Sequence, residues 1–335
     1  MVTVGLLGYG YWGPNLVRNF NATDGARVLK VCDPNTDRLR KLAQTYPGVE
    51  GTTDPDAIIN DPALNAVAIA TPVSTHYDLA MRALTAGKHV LVEKPIAATA
   101  AEASRMIEEA EHQKRVLLVD HTFVYTGAVR KIKETVDSGM LGEIYYYDSV
   151  RVNLGLFQND VDVLYDLAVH DLSILNYVLP NKPCAVSATG MANFSGGLAN
   201  VAYLTLFYEN RCIAHMHVNW LAPVKVRRAL LGGSKKMIMY DDIEPSEKVK
   251  IYDSGVDVGS DPEGMYKIKV SYRTGDMWAP KLDTTEALHT LVRHFIDCVE
   301  NHETPITGGQ EGLFVVRVLE AAMKSMKGRG ATVEL

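Results

Sequence analysis

Between residue 1 and about residue 120, short apolar runs alternate with stretches whose apolar positions recur every three or four residues. Runs at 2–7, 27–32, 66–70, 89–92 and 116–119 predict buried strands. Between them, Leu79, Ala80, Ala83 and Leu84 make a helical stripe that stops at Gly87. Thr99-Ala100-Ala101-Glu102 is a capping box that opens a helix carrying Met106, Ile107 and Ala110. Such alternation predicts an α/β domain with a doubly wound parallel sheet. Past 121 the texture changes. One helix over 127–138, closed by Gly139, leads to strand-like runs at 143–151, 184–191, 198–208, 212–220, 227–231 and 236–240. Many strands with few helices predict a largely antiparallel, open-faced sheet in an α+β domain, one face covered and one bare. Helices at about 285–300 and 311–325 follow. The expected domains are 1–121 and 122–335, with the C-terminal helices free to pack back on the first.

The first strand runs into Gly8-Tyr9-Gly10-Tyr11-Trp12-Gly13-Pro14. In this G-x-G-x-x-G pattern Gly8 permits the tight turn, Gly10 lets backbone approach a pyrophosphate, and Gly13 lets the following helix pack close. Pro14 suits the first helical position, and the helix N-terminus offers N–H groups to phosphate. Tyr11 and Trp12 join the glycines as candidate cofactor contacts. Asp33 ends the second strand twenty residues past Gly13, where a ribose-binding carboxylate belongs. A carboxylate accepts from a free ribose 2′-hydroxyl and repels a 2′-phosphate. The first cation beyond it is Arg38, a turn into the next helix, so the expected cofactor is NAD in a Rossmann domain.

Bulk properties narrow the class. The 335 residues suit two domains, and 47% apolar composition suits a full core. A net charge of −6 with no basic stripe speaks against nucleic acid as a partner. No apolar run approaches a membrane span, and Met1 leads straight into a strand with no export signal. Cys32, Cys184, Cys212 and Cys298 are far apart, which fits free thiols in a reducing cytoplasm.

Several residues carry candidate chemistry. Lys94, in Glu93-Lys94-Pro95 at a strand end, offers a cation to a substrate oxyanion as hydride leaves; an exposed turn lysine fits the spacing too. Asp166 and His170 are four apart in a stretch read as helix, so carboxylate and imidazole converge, as they also would on a solvated face. His76, just past Thr71-Pro72, suits either a cofactor contact or helix-start packing. Asp33, Thr71-Pro72, Glu93-Lys94-Pro95 and Asp120-His121 all follow strand ends and should share one rim. His215 and His217 face one way on a strand, but no third ligand is apparent and no metal is assigned.

These segments resemble the glucose-fructose oxidoreductase / inositol dehydrogenase / rhizopine catabolism (Gfo/Idh/MocA) family. The carrying residues are Gly8-x-Gly10-x-x-Gly13, Ala70-Thr71-Pro72-x3-His76, Gly87-Lys88-His89-x3-Glu93-Lys94-Pro95 and Asp166-x3-His170, in order along the whole chain. The resemblance implies NAD(P)-dependent oxidation or reduction of a sugar or polyol, with Lys94, Asp166 and His170 as catalytic residues. It implies Gly8, Gly10, Tyr11, Trp12, Gly13, Asp33, Thr71, Pro72, His76, Glu93 and Lys94 at the cofactor. It also implies a cis Lys94–Pro95 bond. Many members have a Gly-Gly pair before D-x3-H, where this chain has Asp162-Val163-Leu164-Tyr165.

Finer matches are to a nucleotide-sugar branch that includes 3-dehydrogenases of UDP-N-acetylglucosamine and its uronate. Those residues are Asn219-Trp220-Leu221-Ala222-Pro223-x-Lys225-x-Arg227, Gly232-Gly233-Ser234 and Tyr272-Arg273-x-Gly275-Asp276. The implied function is oxidation of a ring hydroxyl at C3 of a UDP-activated amino sugar, the 3-keto product passing to an aminotransferase. Candidate substrate contacts are Lys94, His121, Arg151, Asn153, Asp166, His170, Lys225, Arg227 and Arg273. The last three are chemically suited to a diphosphate, or equally to local acids on a strand surface. Other readings are a free inositol or glucose dehydrogenase, a ketoreductase of deoxysugar synthesis, and a silent NAD-binding sensor or scaffold. The bare sheet face implies a homotetramer or homodimer joined by strands between about 184 and 272.

Overall fold

Val2–Leu7 (β1), Ala26–Cys32 (β2), Glu50–Thr52 (β3), Ala66–Ile69 (β4), His89–Glu93 (β5) and Leu117–Asp120 (β6) form one parallel sheet in the order β3-β2-β1-β4-β5-β6. The computed structural model describes residues 1–155, 161–194, 197–259 and 269–335. Helices Gly13–Ala22 (α1), Thr36–Thr45 (α2), Asp56–Ile59 (α3), His76–Thr85 (α4) and Ala100–Gln113 (α5) link the strands. Because helices cover both faces, β4 and β5 are buried along their whole length, which is why they read as unbroken apolar runs. Val67, Ile69, Val90 and Val92 meet Ala80, Ala83 and Leu84 of α4 and Met106 and Ile107 of α5 in one core. The capping box at Thr99 and Glu102 is made as expected.

The chain divides into two compact units. Residues 1–126 and 285–320 make the first unit, and 127–284 with 321–335 the second. The return of 285–320 has a packing cause. Phe295 of Ala287–Asn301 (a helix numbered α8 below) sits edge-on to Phe20 of α1, ring centres 6.2 Å apart and both rings fully buried. Arg18 closes the same contact with a two-pronged pair to Glu286 at 2.7–2.8 Å.

The second unit contains Gly127–Asp137 (α6), Val169–Val178 (α7) and a nine-stranded sheet. Its strands are Ile144–Leu154 (β7), Ala185–Met191 (β8), Val201–Phe207 (β9), Ile213–Asn219 (β10), Leu221–Gly233 (β11), Met237–Asp241 (β12), Val249–Gly259 (β13), Lys269–Trp278 (β14) and Val333–Glu334 (β15). They lie in the order β14-β13-β12-β11-β7-β10-β9-β8-β15. The pairing of β7 with β10 is parallel; the other described pairings are antiparallel. Ala214, Met216 and Val218 of β10 are fully buried and alternate with Ile213, His215 and His217 on the other face. Exposed Tyr203 and Leu230 accompany that outer set. Strands β13 and β14 escaped the sequence reading, since Ser254-Gly255 and Gly275-Asp276 look like turns.

Candidate active site

The glycine loop has the geometry its spacing implies. Gly8 has φ +96°, and a Cβ there would lie 2.3 Å from the Ala70 carbonyl oxygen. A Cβ on Gly13 would stand 2.6 Å from the Gly8 oxygen, so the start of α1 packs directly on the turn. At Gly10 the nearest atom to such a Cβ is 3.8 Å away, which leaves room for a ligand. Helix α1 begins without a side-chain cap and without an acid in its first turn, so its N–H groups remain for phosphate. Tyr11 and Trp12 stand exposed beside them.

Asp33 is buried at the end of β2. Its Oδ2 accepts from the Tyr9 backbone N–H at 2.7 Å and its Oδ1 from Asn35 N–H at 2.8 Å. Arg38, a turn into α2, reaches back to within 3.1 Å of Oδ2. One helical turn brings residue 38 over residue 35, and its long side chain spans the rest. Arg38 shares a cleft of about 580 Å³ with Tyr9, Gly10, Arg18, Lys41 and Tyr46.

The remaining rim residues follow β4, β5 and β6. His76 is buried, with Nδ1 2.9 Å from the Pro95 carbonyl and Nε2 2.9 Å from that of Thr71. His76 thus sits between the Thr71-Pro72 turn and the Lys94-Pro95 turn, and the one N–H of its neutral ring donates to one of the two carbonyls. The ring is buried at the first residue of α4. The Lys94–Pro95 bond is cis. Beneath Lys94, Glu93 and Asp120 are register partners on adjacent strands and both are buried. His121 is buried with no hydrogen-bond partner on either ring nitrogen among the described residues. Burial and the Lys94 charge push its pKa down to about 3, so it is neutral.

In the second unit, the stretch read as one helix is two. Leu164–Ala168 forms a wide π-type turn, and α7 starts only at Val169, so Asp166 and His170 do not belong to one regular α-helix. Asp162, in the stretch that stands before Asp166, is buried; it accepts from the N–H groups of Leu164 and Tyr165 at 3.0 and 3.1 Å and caps that turn. Asp166 is half-buried and its Oδ2 accepts from the indole N–H of Trp220 at 3.0 Å. Trp220 is fully buried and fixes that carboxylate.

Comparison with known proteins decides the family. Residues 2–121 match the model described as an oxidoreductase family, NAD-binding Rossmann fold, and residues 133–335 match that family's C-terminal alpha/beta domain. The chain belongs to the Gfo/Idh/MocA oxidoreductase family. Similar curated proteins include myo-inositol 2-dehydrogenase of Thermotoga maritima, 25% identical over 97% of this chain and 96% of that protein. They also include scyllo-inositol 2-dehydrogenase (NADP(+)) of Bacillus subtilis, 27% identical over 97% and 94%. Among solved structures, UDP-N-acetylglucosamine 3-dehydrogenase from Acidithiobacillus ferrooxidans superposes with a TM-score of 0.80 at 22% identity, covering 97% of each chain.

As a Gfo/Idh/MocA oxidoreductase this chain uses NAD, and the loop, the uncapped α1 N-terminus and Asp33 fit it. Three of the candidate substrate cations each have a carboxylate beside them. Arg151 is buried on β7 and bonded to buried Asp171 at 2.7 Å, a structural ion pair that ties α7 to the sheet. Arg227 pairs with Asp242 and Arg273 with Asp253, each at 3.3 Å. Lys225 is exposed on β11 and Asn153 half-buried on β7. His215 pairs with Asp148 at 3.3 Å and Tyr203 stacks on His217 at 4.5 Å. Among the described residues no group of three His, Cys, Asp or Glu could hold a metal ion. The contacts of Trp220 with Asp166, of Asp162 with the turn after it and of Arg38 with Asp33 were not part of the sequence reading, because each partner lies on another element or an adjoining turn.

Proposed function

We propose that this NAD-dependent oxidoreductase takes hydride from a ring carbinol of a sugar, C3 of a UDP-activated amino sugar such as UDP-N-acetylglucosamine or its uronate. The observation that carries the carbinol chemistry is Lys94, whose cation stands at the carboxyl end of β5 on the sheet that also presents the glycine loop and Asp33. NAD, when bound, supplies the hydride acceptor. Lys94 donates a hydrogen bond to the reacting oxygen and stabilises the charge that grows there. His170 takes the hydroxyl proton, and Asp166, held by Trp220, orients the sugar. Support for the UDP-sugar class is the run from Asn219 to Arg227 and the exposed cation Lys225. The 3-keto product suits an aminotransferase as the next enzyme, in the cytoplasm.

A second reading, a free inositol dehydrogenase, is favoured by the full-length inositol relatives and by the pairing of Arg227 and Arg273 with acids. A thermal-shift screen in the presence of NADH separates the two, followed by NADH formation at 340 nm. UDP-N-acetylglucosamine and its uronate should raise the midpoint and be oxidised; inositols doing so while UDP-sugars do not would establish the second reading instead. We further propose a homotetramer or homodimer through the outer sheet face that carries Tyr203, Ile213 and Leu230. Within the 184–272 span expected at that contact, residues 195–196 and 260–268 lie outside the described residues. A single-chain mass by light scattering at micromolar concentration would refute the assembly.

A further inference from the structure

Two carboxyl groups with no fixed donor between them lie below Lys94. Glu93 ends β5 and Asp120 ends β6, and the two residues are direct register partners. Glu93 Oε2 accepts from the Lys94 backbone N–H at 3.2 Å, and Asp120 Oδ1 accepts from the Thr122 hydroxyl. The other oxygens, Glu93 Oε1 and Asp120 Oδ2, are buried and find no donor among the described residues. Yet the two side chains are within hydrogen-bonding reach of each other. Two ionised carboxylates have no proton to share, and an unpaired buried acceptor is costly. One proton between Oε1 and Oδ2 satisfies both orphans at once.

We propose that Glu93 and Asp120 hold a single proton between them, and that this monoanionic pair is a positioning device that holds the Lys94 side chain in place. The charges around the pair fit that count. Lys94 faces it from beyond β5, and His121, Thr122 and Tyr125 from beyond β6; His76 lies next to Lys94 and Cys298 of α8 next to Tyr125. Burial, with the Lys94 charge, holds His121 neutral, and burial moves His76 in the same direction. Burial keeps the Tyr125 hydroxyl and the Cys298 thiol protonated. At neutral pH that set therefore contains one cation, Lys94, opposite one anion. Within the pair, burial and then the Asp120 charge raise Glu93 well above the usual carboxylate range, so Glu93 is the member that keeps the proton.

The positioning role rests on the reading of Lys94 given above; the shared proton does not. Asp120→Asn tests both. The amide N–H replaces the shared proton permanently, and Glu93 then ionises at lower pH. Groups with raised folded pKa lend stability below their unfolded values and lose it as pH rises towards the folded ones. The wild type should therefore lose thermal midpoint from pH 5 to pH 8 relative to Asp120→Asn, by about 3 °C or more. A midpoint difference that is flat over that range overturns the shared proton. For the positioning role, the alkaline limb of kcat that follows loss of the shared proton in the wild type should be absent in Asp120→Asn. Asp120→Leu, which leaves Glu93 with no partner, should lower kcat about tenfold with a smaller effect on KM. Wild-type kcat and an unmoved pH profile in both variants overturn it. If Asp120→Leu fails to fold, the Asp120→Asn profile decides alone. Full turnover in Lys94→Ala would sink the reading of Lys94 while the thermal difference still reports on the proton.

Discussion

Replacing Trp220 by Phe tests whether the carboxylate of Asp166 is held by the indole. The hydrogen bond is 3.0 Å long and its donor is on a fully buried ring, so little water competes for it. Hydrogen bonds to charged groups contribute about 1.5–3 kcal/mol. The smaller ring also leaves space in a packed core, which adds on the order of 1 kcal/mol. Trp220→Phe should therefore destabilise the protein by about 2–4 kcal/mol by those same estimates. The two contributions separate in a double-mutant cycle with Asp166→Asn. An amide at 166 still has an acceptor oxygen but no charge, so the coupling between the sites should be about 1 kcal/mol or more. Urea denaturation of the four proteins supplies the cycle, and kcat of Trp220→Phe should fall while NAD affinity is unchanged. A coupling below about 0.3 kcal/mol, within the additivity of independent sites, would refute the claim that the indole holds Asp166.

Lys94→Ala should lower kcat by on the order of a hundredfold or more with NAD affinity within a few-fold, measured by steady-state kinetics and calorimetry; normal turnover would rule out its role. Arg38→Ala removes a guanidinium from Asp33 and from the cation-lined cleft, so NADP binding should weaken relative to NAD; a tenfold loss of NAD affinity would contradict this. His89 accepts a hydrogen bond from Val116 N–H at 3.0 Å, and burial followed by the Arg115 charge pushes its pKa down to about 4. Its neutral form is thus favoured on folding, with stability present above the unfolded value near 6.5 and lost as pH falls towards 4, at up to about 1.4 kcal/mol per pH unit. His89→Gln should flatten thermal midpoint against pH over that window, and an unchanged slope would refute it.

Much of the chain was legible because its signals are local. The G-x-G-x-x-G turn, the Thr99 capping box and the buried parallel strands are each written within a dozen residues, and backbone sterics and burial enforce them directly. The same holds for the change at about 121 from alternating elements to closely spaced strands. Pairings between distant residues were not legible. The contact that seats 285–320 in the first unit is Phe295 on Phe20, and the burial of Arg151 depends on Asp171, a residue of another element. Which acids Arg227 and Arg273 meet, Asp242 and Asp253, is set once strands lie side by side. Likewise Glu93 and Asp120 are 27 positions apart and become a proton-sharing pair only in the register of β5 on β6. Periodicity fixes which face a side chain takes, but the charge it meets there depends on which strand lies alongside, and only the folded sheet sets that.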